Sequence, residues 1–142
     1  MILLDTGVLV YAVGVDHPLR EPCRRLLEAV RLGRVTASTT PEVIQEFVHI
    51  HSQRRPREMA ARLARGYVVG LAPLVLTEVE DVERGLRLFV EHAALGAFDS
   101  VLAAVALRTG AEAFISADRA FGAVRGLRYV DPAAPEFDRL LA

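Results

Sequence analysis

Short apolar runs alternate along the chain with longer stretches in which apolar residues return every three or four positions. Ile2, Leu3 and Leu4 form a run too brief for a helix and suited to a strand buried on both faces, and Asp5 closes it. After a turn at Asp16 to Pro18, the residues Leu19, Cys23, Leu26, Leu27 and Val30 recur at helical spacing among arginines and glutamates, predicting an amphipathic helix that ends near Gly33. Val35 to Ser38 reads as a second strand. Thr40 then suits an N-cap and Pro41 the first helical position, where its missing N–H costs nothing. The helix they open runs to about His51, with Val43, Phe47 and Ile50 on one face and Glu42, Glu46 and His49 on another.

Pro56 opens a further helix carrying Met59, Leu63 and Tyr67, and Leu74 to Leu76 reads as a third buried strand. Val79, Val82, Leu86, Phe89, Val90 and Ala93 mark a long amphipathic helix, punctuated by Gly96. Asp99 stands where the next apolar segment begins. That segment, Val101 to Leu107, is apolar on nearly every side and predicts a buried helix stopped by Gly110. Ala113 to Ser116 and Arg128 to Val130 supply a fourth and a fifth strand.

Strands alternating with helices predict an α/β fold, a central, mainly parallel sheet of about five strands with helices on both faces. The 142 residues suit one domain spanning 1–142, and a composition 52% hydrophobic and 25% charged favours a packed sheet over disorder. Cys23 has no partner for a disulfide and falls within a helical pattern, so it is expected to pack in the core, as in a protein of the reducing cytoplasm. The opening apolar run is broken at once by Asp5, so neither a signal peptide nor a membrane span is expected.

The net charge of −1 excludes a protein that coats nucleic acid by charge alone, so any nucleic-acid chemistry has to reside in a site. In parallel sheets such sites lie beyond the carboxyl ends of the strands. Asp5 follows the first strand and Asp118 the fourth, and a right-handed crossover puts Asp99, at the start of its helix, on the same edge. Glu46, about one and a half turns into its helix, can lean back over that edge. Taken singly, Asp5 reads equally well as a strand terminator, Asp99 and Asp118 as helix caps, and Glu46 as a solvated helix residue. Together they crowd like charges, which a divalent cation would neutralise, and magnesium or manganese suits oxygen donors.

These residues are similar to the PIN-domain family, in particular to VapC-type toxins of toxin–antitoxin pairs. The resemblance runs nearly end to end, through "ILLDTGVLVYA", "PEVIQEFVHI", "FDSVLAAVALRTGAEAFISADRAF" and "LRYVD". It implies a three-layer α/β/α PIN-like fold and a metal site of Asp5, Glu46, Asp99 and Asp118, the last acting directly or through water. Glu42, one turn before Glu46, competes for the glutamate position, but the "QEF" context matches Glu46, and Glu42 suits the first-turn helix dipole. Thr6 and Ser116 match hydroxyl positions that orient Asp5, water or substrate phosphate, and Arg119 is a candidate phosphate contact. The implied reaction is Mg2+- or Mn2+-dependent hydrolysis of RNA, leaving 5′-phosphate and 3′-hydroxyl ends. The implied partners are a VapB-type antitoxin and a second copy of the chain, for which apolar residues on helices 19–32 and 56–69 offer surface.

Other residues carry less. His49 and His51, two apart on a helix, face different ways and make a poor metal pair. Arg54, Arg55 and Arg57 read as a solvated helix boundary sooner than as an RNA contact. All 17 basic residues are Arg. The absence of Lys removes response-regulator receivers and haloacid-dehalogenase phosphatases, and the latter also need a second Asp where Gly7 stands. The remaining alternative is a non-catalytic PIN-like module that binds RNA or protein.

Overall fold

A computed structural model describes residues 1–142. Four short parallel strands form its sheet: β1 (Ile2–Leu4), β2 (Ala37–Ser38), β3 (Ala113–Ile115) and β4 (Tyr129–Val130), in the order β2-β1-β3-β4. The chain leaves β1 for β2 on one side and later returns to β3 on the other. Strand order therefore reverses between β1 and β3, where α/β sheets form their crevice. Seven helices cover the sheet as the outer layers of an α/β/α sandwich: α1 (Thr6–Val13), α2 (Arg20–Arg31), α3 (Pro41–His51), α4 (Arg57–Gly70), α5 (Val79–Glu91), α6 (Ala97–Arg108) and α7 (Pro135–Leu141), with a 3-10 turn at Arg119–Ala123. None is long and apolar enough to cross a membrane.

The strands are buried on both faces, with Leu3, Leu4, Phe114 and Ile115 fully enclosed by Phe47, Phe121 and Phe137 from the surrounding helices and turns. Phe114 and Phe121 pack with their rings tilted by 53° and their centroids 4.6 Å apart. In α6 the buried run Leu102–Ala106 is mostly alanine, which lets its backbone lie close to its neighbours. Cys23 is fully buried, and its thiol is pushed up to about 12 by burial, as expected of a core residue.

Two expectations are corrected. Leu74 to Leu76 is not a strand. It runs extended but makes no ladder, since Val75 donates to the carbonyl of Thr39 at 2.9 Å and Leu76 is 67% exposed. The sheet therefore has four strands, not five. In α5 the helix forms as expected, but Val79, Val82, Leu86, Phe89 and Val90 face outward, while Asp81 and Gly85 are buried. Gly85 is why: a Cβ there would lie 2.7 Å from the Cα of Val101, so only glycine lets α5 and α6 approach this closely. Asp81 is held at this interface by Arg108, whose Nε donates to both its carboxylate oxygens at 2.8 and 3.0 Å.

Helix α1 was not predicted. Its sequence, TGVLVYAV, is apolar around its whole circumference and so carries no amphipathic period. Its one legible signal is Asp5, whose Oδ1 accepts the amide of Thr6 at 2.8 Å and caps the helix.

Candidate active site

The carboxyl ends of β1 and β3 bring the first acid into place. Asp5 directly follows β1, and its amide donates to the carbonyl of Ile115 at the end of β3. Its side chain is buried and held from two sides: Oδ1 by the Thr6 amide, and Oδ2 by the Ser116 hydroxyl at 2.6 Å. Ser116 in turn accepts the amide of Asp118 at 3.0 Å, so Asp5 and Asp118 share one hydroxyl between them. Asp118 is exposed at the start of the 3-10 turn, and its Oδ1 accepts the Ala120 amide at 2.9 Å. Arg119 beside it is exposed.

Glu46 reaches this edge from α3. Thr40 caps the helix through the Val43 amide, with Pro41 behind it, as the sequence predicts. One and a half turns later, Oε2 of Glu46 accepts the hydroxyl of Thr6 at 2.8 Å. Thr6 thus uses its amide for Asp5 and its hydroxyl for Glu46, linking two acids 41 positions apart in sequence. Glu42, the competing glutamate, faces a small cavity lined by Thr40, Thr77 and Phe98, with Oε2 buried and unpartnered.

Asp99 lies in the first turn of α6, half-buried, and no protein group donates to its carboxylate. Burial, followed by the charges of Asp5, Glu46 and Asp118, pushes its pKa from 3.8 up to about 6. The Asp5 carboxyl is raised by the same combination. Burial outweighs the bonds from Ser116 and Thr6, and the charges of Glu46 and Asp118 add to it. The four acids therefore act on one another electrostatically at one edge of the sheet. They do not form a closed cage, because no group of three His, Cys, Asp or Glu residues is drawn together closely enough to hold an ion as placed.

One residue of this edge escaped sequence reasoning. Thr39, fully buried, donates its hydroxyl to the carbonyl of Leu4 at 2.7 Å and so fixes the end of β1 immediately before Asp5. The single hydroxyl proton of its neighbour Ser38 is shared between the carbonyls of Leu71 and Pro73, at 2.9 and 2.8 Å, pinning the loop after α4 to the end of β2. The run of three hydroxyl residues at 38–40 is the signal that could have found them. The histidines stay outside the site: His51 is buried and stacked on Phe47 at 5.3 Å, and His49 faces Gln53 at the surface.

Residues 2–127 match the PIN domain family model. The chain belongs to the PIN-domain family. It is 47% identical over 142 residues to Ribonuclease VapC7 of Mycobacterium tuberculosis, covering 99% of this chain and 98% of that one. It is 32% identical over 129 residues to Ribonuclease VapC13 of the same organism, covering 90% of this chain and 98% of that one. Among solved structures it superposes on VapBC2 from Rickettsia felis, bound to a DNA fragment from its promoter, with a TM-score of 0.71 at 18% identity, covering 92% of this chain and 98% of that one. That similarity establishes a shared PIN fold.

Proposed function

We propose that this PIN domain is a divalent-metal-dependent endoribonuclease, the toxin of a VapBC-type pair. The observation that carries the reading is Asp99: a half-buried carboxylate with no protein donor, facing three other acids. A hard divalent cation is the partner that such an all-oxygen set favours. Mg2+ is commonly held by only one or two carboxylates, with water in its remaining positions, so an open arrangement fits it as well as a closed cage would.

In this reading Asp5 and Asp99 hold the ion, and Glu46 and Asp118 complete its surroundings directly or through water. Ser116 and Thr6 fix the orientation of the acids before any ligand arrives, which lowers the reorganisation needed for reaction. When bound, Mg2+ or Mn2+ supplies an acidified water and neutralises charge on the phosphodiester. Arg119 is the proposed phosphate contact, and its exposure beside Asp118 supports that role. The products are a 5′-phosphate and a 3′-hydroxyl.

Two apolar surfaces offer room for protein partners, a VapB-type antitoxin and a second copy of the chain. One is a groove of about 330 Å³ between α2 and α4, lined by Leu27, Val30, Leu63 and Tyr67. The other is the outward apolar flank of α5, the larger exposure of the two and not one of the helices favoured from sequence.

Incubation of total RNA with wild type and Asp5→Asn, each with Mg2+, Mn2+ or EDTA, tests the function. Cleavage by wild type only, and only with a divalent ion, is expected. RNA left intact by wild type under every condition leaves the non-catalytic binding module in its place.

A further inference from the structure

A cleft of about 410 Å³ lies against α5 and the end of α6, with none of the four acids in its lining, and three arginines line it: Arg84 and Arg87 from α5 and Arg125 from the loop that leads into β4. All three are exposed. The ion pairs of the structure use Arg25, Arg31, Arg108 and Arg128, and Arg24 donates to a backbone carbonyl; the guanidiniums of this cleft make no hydrogen bond or ion pair, and only Arg84 feels a buried acid, Asp81, through its charge. In a second charged hollow, on α2, two of the three arginines are engaged and only Arg34 is not. There Arg25 is bonded to Asp138, and Arg24 to the carbonyl of Ala12. Glu91 is the only acid lining the arginine cleft, so its charge is positive in a protein whose net charge is −1.

The cleft also has a direction. His92 at one end caps α5, and its carbonyl accepts the Leu95 amide at 2.9 Å in the turn that leads into α6 and Asp99. Leu107 and Arg125 lie toward the other end of α6. The cleft therefore follows the second half of α5, from the turn that leads into α6 to the carboxyl-terminal end of α6 at Leu107. An RNA strand approaching four carboxylates is repelled by them, and a chain without a basic coat needs cations placed elsewhere to hold it. Guanidinium forks match phosphate oxygens and can also stack on bases, while Leu88 and Leu107 give the cleft an apolar floor.

We propose that this cleft binds the phosphodiester backbone of the single-stranded RNA flanking the cleaved bond, with Arg84, Arg87 and Arg125 as phosphate contacts. The assignment rests on the ribonuclease reading above. It makes the three arginines substrate-binding residues remote from the reacting bond.

The test compares wild type with the triple variant Arg84→Ala/Arg87→Ala/Arg125→Ala. A control of equal charge is Arg34→Ala/Arg65→Ala/Arg139→Ala, all exposed positions outside the cleft. Binding of a fluorescein-labelled single-stranded RNA is measured by anisotropy in EDTA over a salt series, and cleavage is measured separately with Mg2+. The cleft variant is expected to bind RNA about tenfold more weakly and to reduce the salt slope by about 2, as the loss of three single-strand phosphate contacts implies. Its KM should rise with kcat retained, and the triple Arg→Lys variant should keep the salt slope. RNA affinity and slope equal to those of the control, in a protein that cleaves RNA, overturn the cleft and leave the ribonuclease intact. So does loss of affinity for poly-glutamate with RNA binding retained, which makes the cleft an acidic-peptide site. Failure of wild type to cleave RNA at all overturns the ribonuclease reading, and this assignment with it.

Discussion

Ser116 donates its hydroxyl to Asp5 at 2.6 Å while accepting the amide of Asp118 at 3.0 Å, so a single buried oxygen joins the end of β1, the end of β3 and the start of the 3-10 turn. Ser116→Ala removes both bonds and leaves the Asp5 carboxylate with the Thr6 amide alone. Turnover is expected to fall about 10- to 100-fold, as for other groups that orient metal-binding side chains. Stability is expected to fall by about 2 kcal/mol, as for a hydrogen bond to a charged group. Steady-state cleavage and urea unfolding of the same preparation check both. An unchanged kcat would remove Ser116 from the site.

The raised acids set a pH dependence of the metal-free protein. Asp99 is pushed up from 3.8 to about 6 by burial and then by Asp5, Glu46 and Asp118, and Asp5 shifts in the same direction. The folded chain therefore binds protons more tightly than the unfolded chain, and stability falls as pH rises wherever that holds. This contribution is fully present below 3.8 and lost as pH rises through about 6. Asp81 opposes it at the acid end: burial would raise its carboxyl, but the bonds from Arg108 and the Glu78 amide outweigh this and lower it, so its contribution is lost only as pH drops below the ordinary value. In EDTA the melting temperature should accordingly rise as pH is lowered from about 7.5 toward about 5. Asp99→Asn should flatten that trend, and Mg2+ should raise the melting temperature most at the neutral end. A metal-free protein that melts higher at neutral pH than at pH 5 would contradict the crowding of these acids.

The sheet and its acidic edge were legible because their signals are local. Ile2–Leu4 and Ala113–Ile115 are uninterrupted apolar runs, and Asp5 and Ser116 stand directly at their ends. Glu46 was legible through Thr40 and Pro41, which fix where α3 starts and hence which of its residues lean back. What failed depended on tertiary surroundings. An apolar triplet at Leu74–Leu76 has strand composition, but it meets the end of the edge strand β2 through a single backbone bond, from Val75 to the carbonyl of Thr39, and Ser38 holds the preceding loop through its side chain, so no ladder forms. The period of α5 was correct, but its direction was not. Gly85 and the Asp81–Arg108 pair face inward because α6 packs there, and the apolar side is left outward. An outward apolar side is what a chain that associates with others presents, and no single-chain periodicity can tell that side from a core.

The Asp81–Arg108 pair separates architecture from chemistry. Asp81 is 1% exposed, and Arg108→Ala would leave its charge with the Glu78 amide as its remaining donor. A loss of about 2 kcal/mol is expected, less than for a fully buried pair because Arg108 is partly exposed. Arg108 ends α6 and Asp99 begins it, so cleavage per folded molecule should be unchanged below the melting transition. A drop in kcat at full folding would mean that the far end of α6 governs the placement of Asp99.

The central claim is that Asp5 and Asp99 hold a common divalent ion at the edge of the sheet. Titration of Mn2+ into wild type, Asp5→Asn and Asp99→Asn, followed by electron paramagnetic resonance of the free ion, measures it directly. Saturable binding by wild type is expected, lost or greatly weakened in both variants, each still folded by circular dichroism. Mn2+ bound as tightly by the two variants as by wild type would contradict that claim.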